Sequence, residues 1–404
     1  GPEPGGPPLE LAAEHSLAAY EGAAVLDVRY TPQATHLVVA GSDRTISAYR
    51  LPLRGPKGSS PRPLGLTGHQ ADVVSICPSY TDSHTTGGGG GPLLLSAAGD
   101  RTARLWALGG PHAGQDLLCF DRLRTNARPV HREENPAFEQ VQDAQFVCLD
   151  GAVVVAAGNR LGIYRYELHV QDTGDDIKRL QRLGSYRCCG VLTLPREPTA
   201  GHSIAAVAAN NAVLSGTLLV ASSSKRIYAW DAAAEKVLAS ADEASLHARP
   251  ITCLRMAQPQ GHHQSAQSLD LFYTAATDGT VKLWDLRCMQ ECRAFSGAHA
   301  HSSQRLRCCL SPCLRYLGVP SEDGAVCVYD VRAGGLLGSR QTHRDVAIAV
   351  DMHPRSGSMA SGGYDGKVHF HRQPTPGRPP RGPGRPPGGG GVLERRPAEQ
   401  LREV

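Results

Sequence analysis

One phrase recurs seven times along the 404 residues. It reads small residue, Asp, turn residue, Thr or Ala, alternating apolar residues, then an aromatic. Copies run Ser42-Asp43-Arg44-Thr45-Ile46-Ser47-Ala48-Tyr49, Gly99-Asp100-Arg101-Thr102-Ala103-Arg104-Leu105-Trp106 and, most regularly, Thr277-Asp278-Gly279-Thr280-Val281-Lys282-Leu283-Trp284-Asp285. Two more begin at Glu322-Asp323-Gly324 and Tyr364-Asp365-Gly366, and weaker copies at Asn159-Arg160 and Ser224-Lys225-Arg226 complete the set. Each follows two short β-type runs, such as Val25–Tyr30 and His36–Ala40. Strand, turn, strand, Asp-turn, strand describes a small antiparallel sheet that cannot bury both faces alone.

Radial packing of such sheets buries the faces between neighbours and leaves only short edges. Seven units at the 40–45-residue period of a propeller repeat fill roughly 350 residues once insertions are added. The insertions fall at Gly87–Gly91, Arg122–Gln140, His169–Arg187 and Gln258–Ser268, where loops absorb length at little entropic cost. After His371 the sequence turns Pro/Gly/Arg-rich, so the last blade lacks a fourth strand of its own. His15–Tyr20 is the donor that would close the ring. The expected layout is a disordered segment over 1–14, a propeller over 15–371 and a disordered tail over 372–404.

These phrases resemble those of the WD-repeat family, in which a His, a Ser or Thr, the turn Asp and the Trp share a buried network. The resemblance implies an all-β, seven-bladed WD-repeat β-propeller closed by an N-terminal strand. It also carries the network onto His69, Ser96, Asp100 and Trp106 of blade two and His247, Thr274, Asp278 and Trp284 of blade five. Blade seven keeps His343, Ser361 and Asp365 with His371 in place of Trp; blade six keeps His299 and Asp323 with Tyr329. A narrower resemblance, to the carboxy-terminal propeller of one family member, rests on Tyr166-Glu167-Leu168, Asp175–Arg179, Asp270–Ala276 and Leu310–Cys313. It would leave this chain without a companion amino-terminal propeller, in line with the missing initiator Met.

Charge limits the partners. Residues 372–404 hold seven Arg and three Glu; subtracting these from 42 basic and 38 acidic residues leaves 35 of each in the body. A neutral body has no general affinity for nucleic acid, which leaves only the tail for that role. The tail repeats Gly-Arg-Pro-Pro at 377–380 and 384–387; a linker, a peptide ligand and a minor-groove contact are its three readings. No run of eighteen apolar residues exists, so no membrane span is expected. The 12 scattered cysteines fit reduced thiols in a cytoplasmic or nuclear protein.

Catalytic signatures are absent. Gly366-Lys367 is followed by Val368 and is no phosphate loop, and there is no Gly-x-Ser-x-Gly elbow. Cys288, Cys292, His299, His301, Cys308, Cys309 and Cys313 cluster in sequence without a C-x-x-C pair, so no metal and no cofactor is expected. His69 and His247 read as satisfied core groups. The expected role is a non-catalytic scaffold, monomeric within a complex, whose partners are other proteins or peptide segments. The Asp turns of blades one to four add Arg44, Arg101, Arg160, Lys225 and Arg226, an arc suited to acidic or phosphorylated segments. Arg and Gly are also simply tolerant turn residues, the alternative this arc must beat.

Overall fold

The computed structural model describes residues 12–20, 22–53, 61–81, 91–120, 140–168, 177–195, 203–211, 216–232, 234, 236–241, 245–257 and 270–372. These form seven four-stranded antiparallel sheets. Six are meanders of consecutive strands. Blade one, for instance, is built from Val25–Tyr30, His36–Gly41, Thr45–Arg50 and Leu64–Thr67. The seventh is composite: Ala347–Met352, Met359–Gly363 and Lys367–Arg372 come from the end of the chain, and Ala12–Ala18 from its beginning. The closing strand pairs from Ala18↔Lys367 out to Ala12↔Arg372, a few residues beyond the expected His15 and His371. Seven sheets, ring closure and almost no helix make this a seven-bladed propeller. The one helix among the described residues, Ile177–Leu183, falls within an expected insertion. Apart from Gly91 and Gln140, the remaining insertions and the 373–404 tail lie outside the described residues.

The core shows why the blades need one another. Seven apolar clusters are each shared by two neighbouring blades. Val38, Ala40 and Ile46 of blade one meet Val73, Ile76 and Trp106 of blade two, and Val25 and Val28 of blade one meet Ile348, Ala349 and Val368 of blade seven. Strand alternation sends successive side chains to opposite faces, so every blade serves two clusters, and an isolated blade would expose both.

Each inner strand runs from the end of the sheet that carries the Asp turn toward the opposite end. Val25 pairs with Gly41 beside the turn, and Tyr30 with Leu37 at the far end. In six blades a bulge interrupts the start of the inner strand, as between Val25 and Asp27 and between Val141 and Asp143. A bulge re-aims the residues after it, and in blades one, two and three the residue that follows is buried and polar, Asp27, Ser75 and Asp143. Among the described residues, no helix is long and apolar enough to cross a membrane.

Candidate functional site

Blades two and five assemble the buried network in full. His69 Nδ1 donates to Asp100 Oδ2 at 2.9 Å, Ser96 Oγ donates to His69 Nε2 at 2.7 Å, and Trp106 Nε1 donates to Ser96 Oγ at 2.8 Å. His247, Asp278, Thr274 and Trp284 repeat it at 3.1, 2.7 and 2.8 Å. The acceptor-only carboxylate fixes the imidazole tautomer, and each hydroxyl then gives one bond and takes one. Burial works to raise Asp100, but bonds from His69, the Gln70 amide and Thr102 outweigh it and hold the carboxyl well below its usual range. Asp278 is held down likewise, against burial, by His247 and Thr280. These are groups consumed by structure, not bases poised for chemistry.

Blade seven solves the same problem with an imidazole. His343 donates to Asp365 at 2.9 Å and accepts from Ser361 at 2.9 Å, while His371 Nε2 takes the tryptophan's part, donating to Ser361 Oγ at 2.9 Å. That tautomer leaves His371 Nδ1 buried without a hydrogen-bond partner among the described residues, and burial depresses the ring to about 3. One nitrogen of His343, one of His369 and an Asp365 oxygen also lie within 4.8 Å of one another, a grouping the sequence did not suggest. In blade six Val319 stands where the hydroxyl belongs, so His299 bonds Tyr329 directly at 2.8 Å, and Asp323 bonds its own turn amide at Ala325.

The basic turn residues divide. Arg44 and Arg101 are exposed and hold left-handed backbone, φ 71° and 70°, and half-buried Lys225 does the same at 76°. The corresponding residues of blades five to seven are Gly279, Gly324 and Gly366. A side chain at Gly324 or Gly366 would drive its Cβ to 2.5 Å from a backbone carbonyl, so those turns cannot present one. Arg160 does not match the expected pattern. Blade three joins its strands through a shorter turn, with Ala157 paired directly to Arg160, so Gly158 takes the left-handed position and Arg160 opens a strand, half-buried. Arg226 is also half-buried, at the position Thr45 and Thr102 occupy in blades one and two. Lys225 Nζ reaches the Ala248 carbonyl at 3.3 Å. The rim is therefore an interrupted arc, strongest over blades one and two.

Sequence reasoning missed the axis. Asp27, fully buried, lies 3.5 Å from Arg29, 3.8 Å from Arg255 and 3.6 Å from Arg307. It also ties two blades together by accepting from the Ile76 amide. Asp143 bonds Ser75 and the Val207 amide, and Asp351 accepts from the Tyr30 amide. The readable signal was charged residues two apart, Asp27-x-Arg29 within an inner strand and Arg305-x-Arg307 just before one.

Ring, blades and networks together define a WD-repeat β-propeller, a class whose members are generally non-catalytic scaffolds for protein interaction. Residues 62–107 and 245–285 match the family described as WD domain, G-beta repeat. Those two segments hold the complete networks of blades two and five. The chain is 21% identical to Ribosome biogenesis protein WDR12 homolog of Oryza sativa subsp. japonica over 84% of its own length and 60% of that protein. It is 29% identical to Restriction of telomere capping protein 1 of Clavispora lusitaniae over 27% of its length and 12% of that protein. The chain thus spans less than two thirds of either relative.

Proposed function

We propose that the chain is a non-catalytic interaction scaffold whose Asp-turn face binds acidic or phosphorylated segments over blades one to four. The observation that carries this reading is the left-handed backbone at Arg44, Arg101 and Lys225. A non-glycine residue there costs on the order of 1 kcal/mol, and three turns keep a long basic side chain where three others have glycine. Arginine offers a planar fork matched to carboxylate and phosphate oxygens. The names of the two relatives support a place in a cytoplasmic or nuclear assembly, the chain contributing one monomer. The finer kinship we infer, with the carboxy-terminal propeller of WD repeat-containing protein 27, rests on the segments quoted above and agrees with a scaffold role.

The test is charge reversal. Arg44→Glu combined with Arg101→Glu is expected to abolish capture of a phosphoserine-rich acidic peptide while the melting temperature stays within a few degrees. Adding Arg160→Glu should change little, because that residue opens a strand. Capture that survives the double reversal removes the reading. A second reading, nucleic-acid association through residues 372–404, draws on the seven tail arginines and on the ribosome and telomere functions named for the relatives. Binding of that kind would weaken steeply with added salt and vanish when the tail is deleted; the peptide site would survive the deletion.

A further inference from the structure

A layer of inner-strand residues, six of them polar or thiol, crosses the axis near the face opposite the Asp turns. Arg29, Cys77, Gln145, Arg255, Cys309 and Asp351 belong to it, each paired one step before the end of its inner strand or its register equivalent. Beyond the layer lies a cavity of about 130 Å³, several times the roughly 30 Å³ that one water claims in the liquid. Pro32, Pro78, Pro312 and Pro354 stand around it, each at the end of an inner strand or just past it, so the cavity has a stiff apolar collar and a polar floor.

The floor is short of acceptors. Four guanidiniums, Arg29, Arg255, Arg305 and Arg307, share the axis with three carboxylates, Asp27, Asp143 and Asp351. Asp27 alone faces three of the four, and its oxygens already accept from the Val28 and Ile76 amides. Asp351 also lines the cavity, but its oxygens accept from the Tyr30 amide at 2.7 Å and the Cys309 thiol at 3.0 Å. Arg29 Nε and Arg255 Nη2 are buried and face Asp27 Oδ1 at 3.5 and 3.8 Å, yet neither makes a hydrogen bond among the described residues. Higher up the axis, burial and Arg307 push Arg305 down to about 10; at the floor, burial works against the Arg29 cation, but Asp27 and Asp351 outweigh it and hold the group above its ordinary value. A buried cationic donor without an acceptor is costly, and two of them border one cavity.

We propose that this axial cavity binds one oxyanion group, a carboxylate or a phosphate, admitted from the face opposite the Asp turns and held by Arg29 and Arg255. The site is separate from the basic rim: it lies at the other end of the inner strands and uses none of the rim residues. A free oxyanion and the acidic side chain of a bound peptide present the same chemistry, and the proline collar admits either.

The test is ligand-dependent melting of the full chain in low-salt buffer, with inorganic phosphate as one probe and acetyl-Ala-Glu-Ala-amide as the other. A ligand that binds only the folded state raises the melting temperature saturably. Arg255→Gln should weaken the response at least about tenfold, and Lys236→Gln, on the exposed outer strand of blade four, should leave it intact. Should Arg255→Gln fail to fold, Gln145→Glu supplies a competing carboxylate in the same layer and should suppress binding equally. A response to phosphate alone marks a free oxyanion as the ligand, and a response to the peptide alone marks a partner's side chain. No saturable rise with either probe up to roughly 50 mM, or a rise equal in wild type and the folded variant, overturns the proposal.

Discussion

Blades five and four bury their tryptophans equally and satisfy them differently. Trp284 and Trp230 are 0% and 4% exposed, and each packs onto the blade before it. Trp284 gives its indole N–H to Thr274. In blade four Val220 stands at that register position, two beyond the strand partner of the tryptophan, and Trp230 Nε1 is buried without a hydrogen-bond partner among the described residues. Blade five locks its turn with Asp278 and Gly279; blade four replaces the Asp bond with a hydroxyl pair, Ser222 to Ser224 at 2.6 Å, and puts Lys225 in the left-handed position. Interlocking apolar faces therefore suffice to make a blade. The polar network is an addition found in some blades, and it does not decide what the turn carries: blade two keeps it whole with Arg101 in the left-handed position, and blade six has lost its hydroxyl and carries Gly324.

Acid should separate the complete networks from the substituted ones most strongly. His371 and His299 are pushed down to about 3 and about 4, chiefly by burial. Their folded values lie below the ordinary 6.5, so the unfolded chain takes up protons first. Stability from these groups is whole above pH 6.5 and is lost as pH falls toward 4, at about 1.4 kcal/mol per pH unit for each. Urea melts across that range should show the slope, and His371→Gln should flatten it even if the variant is weaker at pH 7. Next in size, Asp278→Ala or Trp284→Ala is expected to destabilise by roughly 2–4 kcal/mol, measured at neutral pH.

A reciprocal exchange sharpens the contrast. Thr274→Val strips an acceptor from a buried indole and should cost about 1–3 kcal/mol. Val220→Thr supplies the missing acceptor in blade four and should be neutral or stabilising by up to about 1 kcal/mol. Equal losses from both exchanges would mean that the two tryptophans do not differ as described. The smallest effects belong to the rim: Arg44→Gly relieves a left-handed arginine and should stabilise by under about 1 kcal/mol, whereas Arg44→Ala should change stability by less than about 0.5.

The ring itself was legible in the sequence because its repeating unit is local. A polar turn followed by alternating apolar residues is written within nine residues, five times with the Asp and twice with Asn159 or Ser224 in its place. The networks were legible for the same reason, each His standing a fixed few residues before its inner strand. The axis was not, since Asp27 meets Arg255 and Arg307 only once the ring closes, and along the chain they look like isolated surface charges. Arg160 was misplaced because blade three shortens its turn, a difference set by pairing register rather than by residue type. The role of Tyr20 was equally hidden: read as part of the closing strand, it sends its hydroxyl to the Val39 carbonyl of blade one at 2.8 Å.

Amide hydrogen exchange of the full chain, with and without a saturating phosphoserine-rich acidic peptide, tests the division of labour between turns most directly. The account predicts slowed exchange in the turns at 41–45, 98–102 and 222–226, with the glycine turns at Gly279, Gly324 and Gly366 unchanged. Protection confined to the glycine turns, or to the opposite face around Pro32 and Pro78, would contradict it.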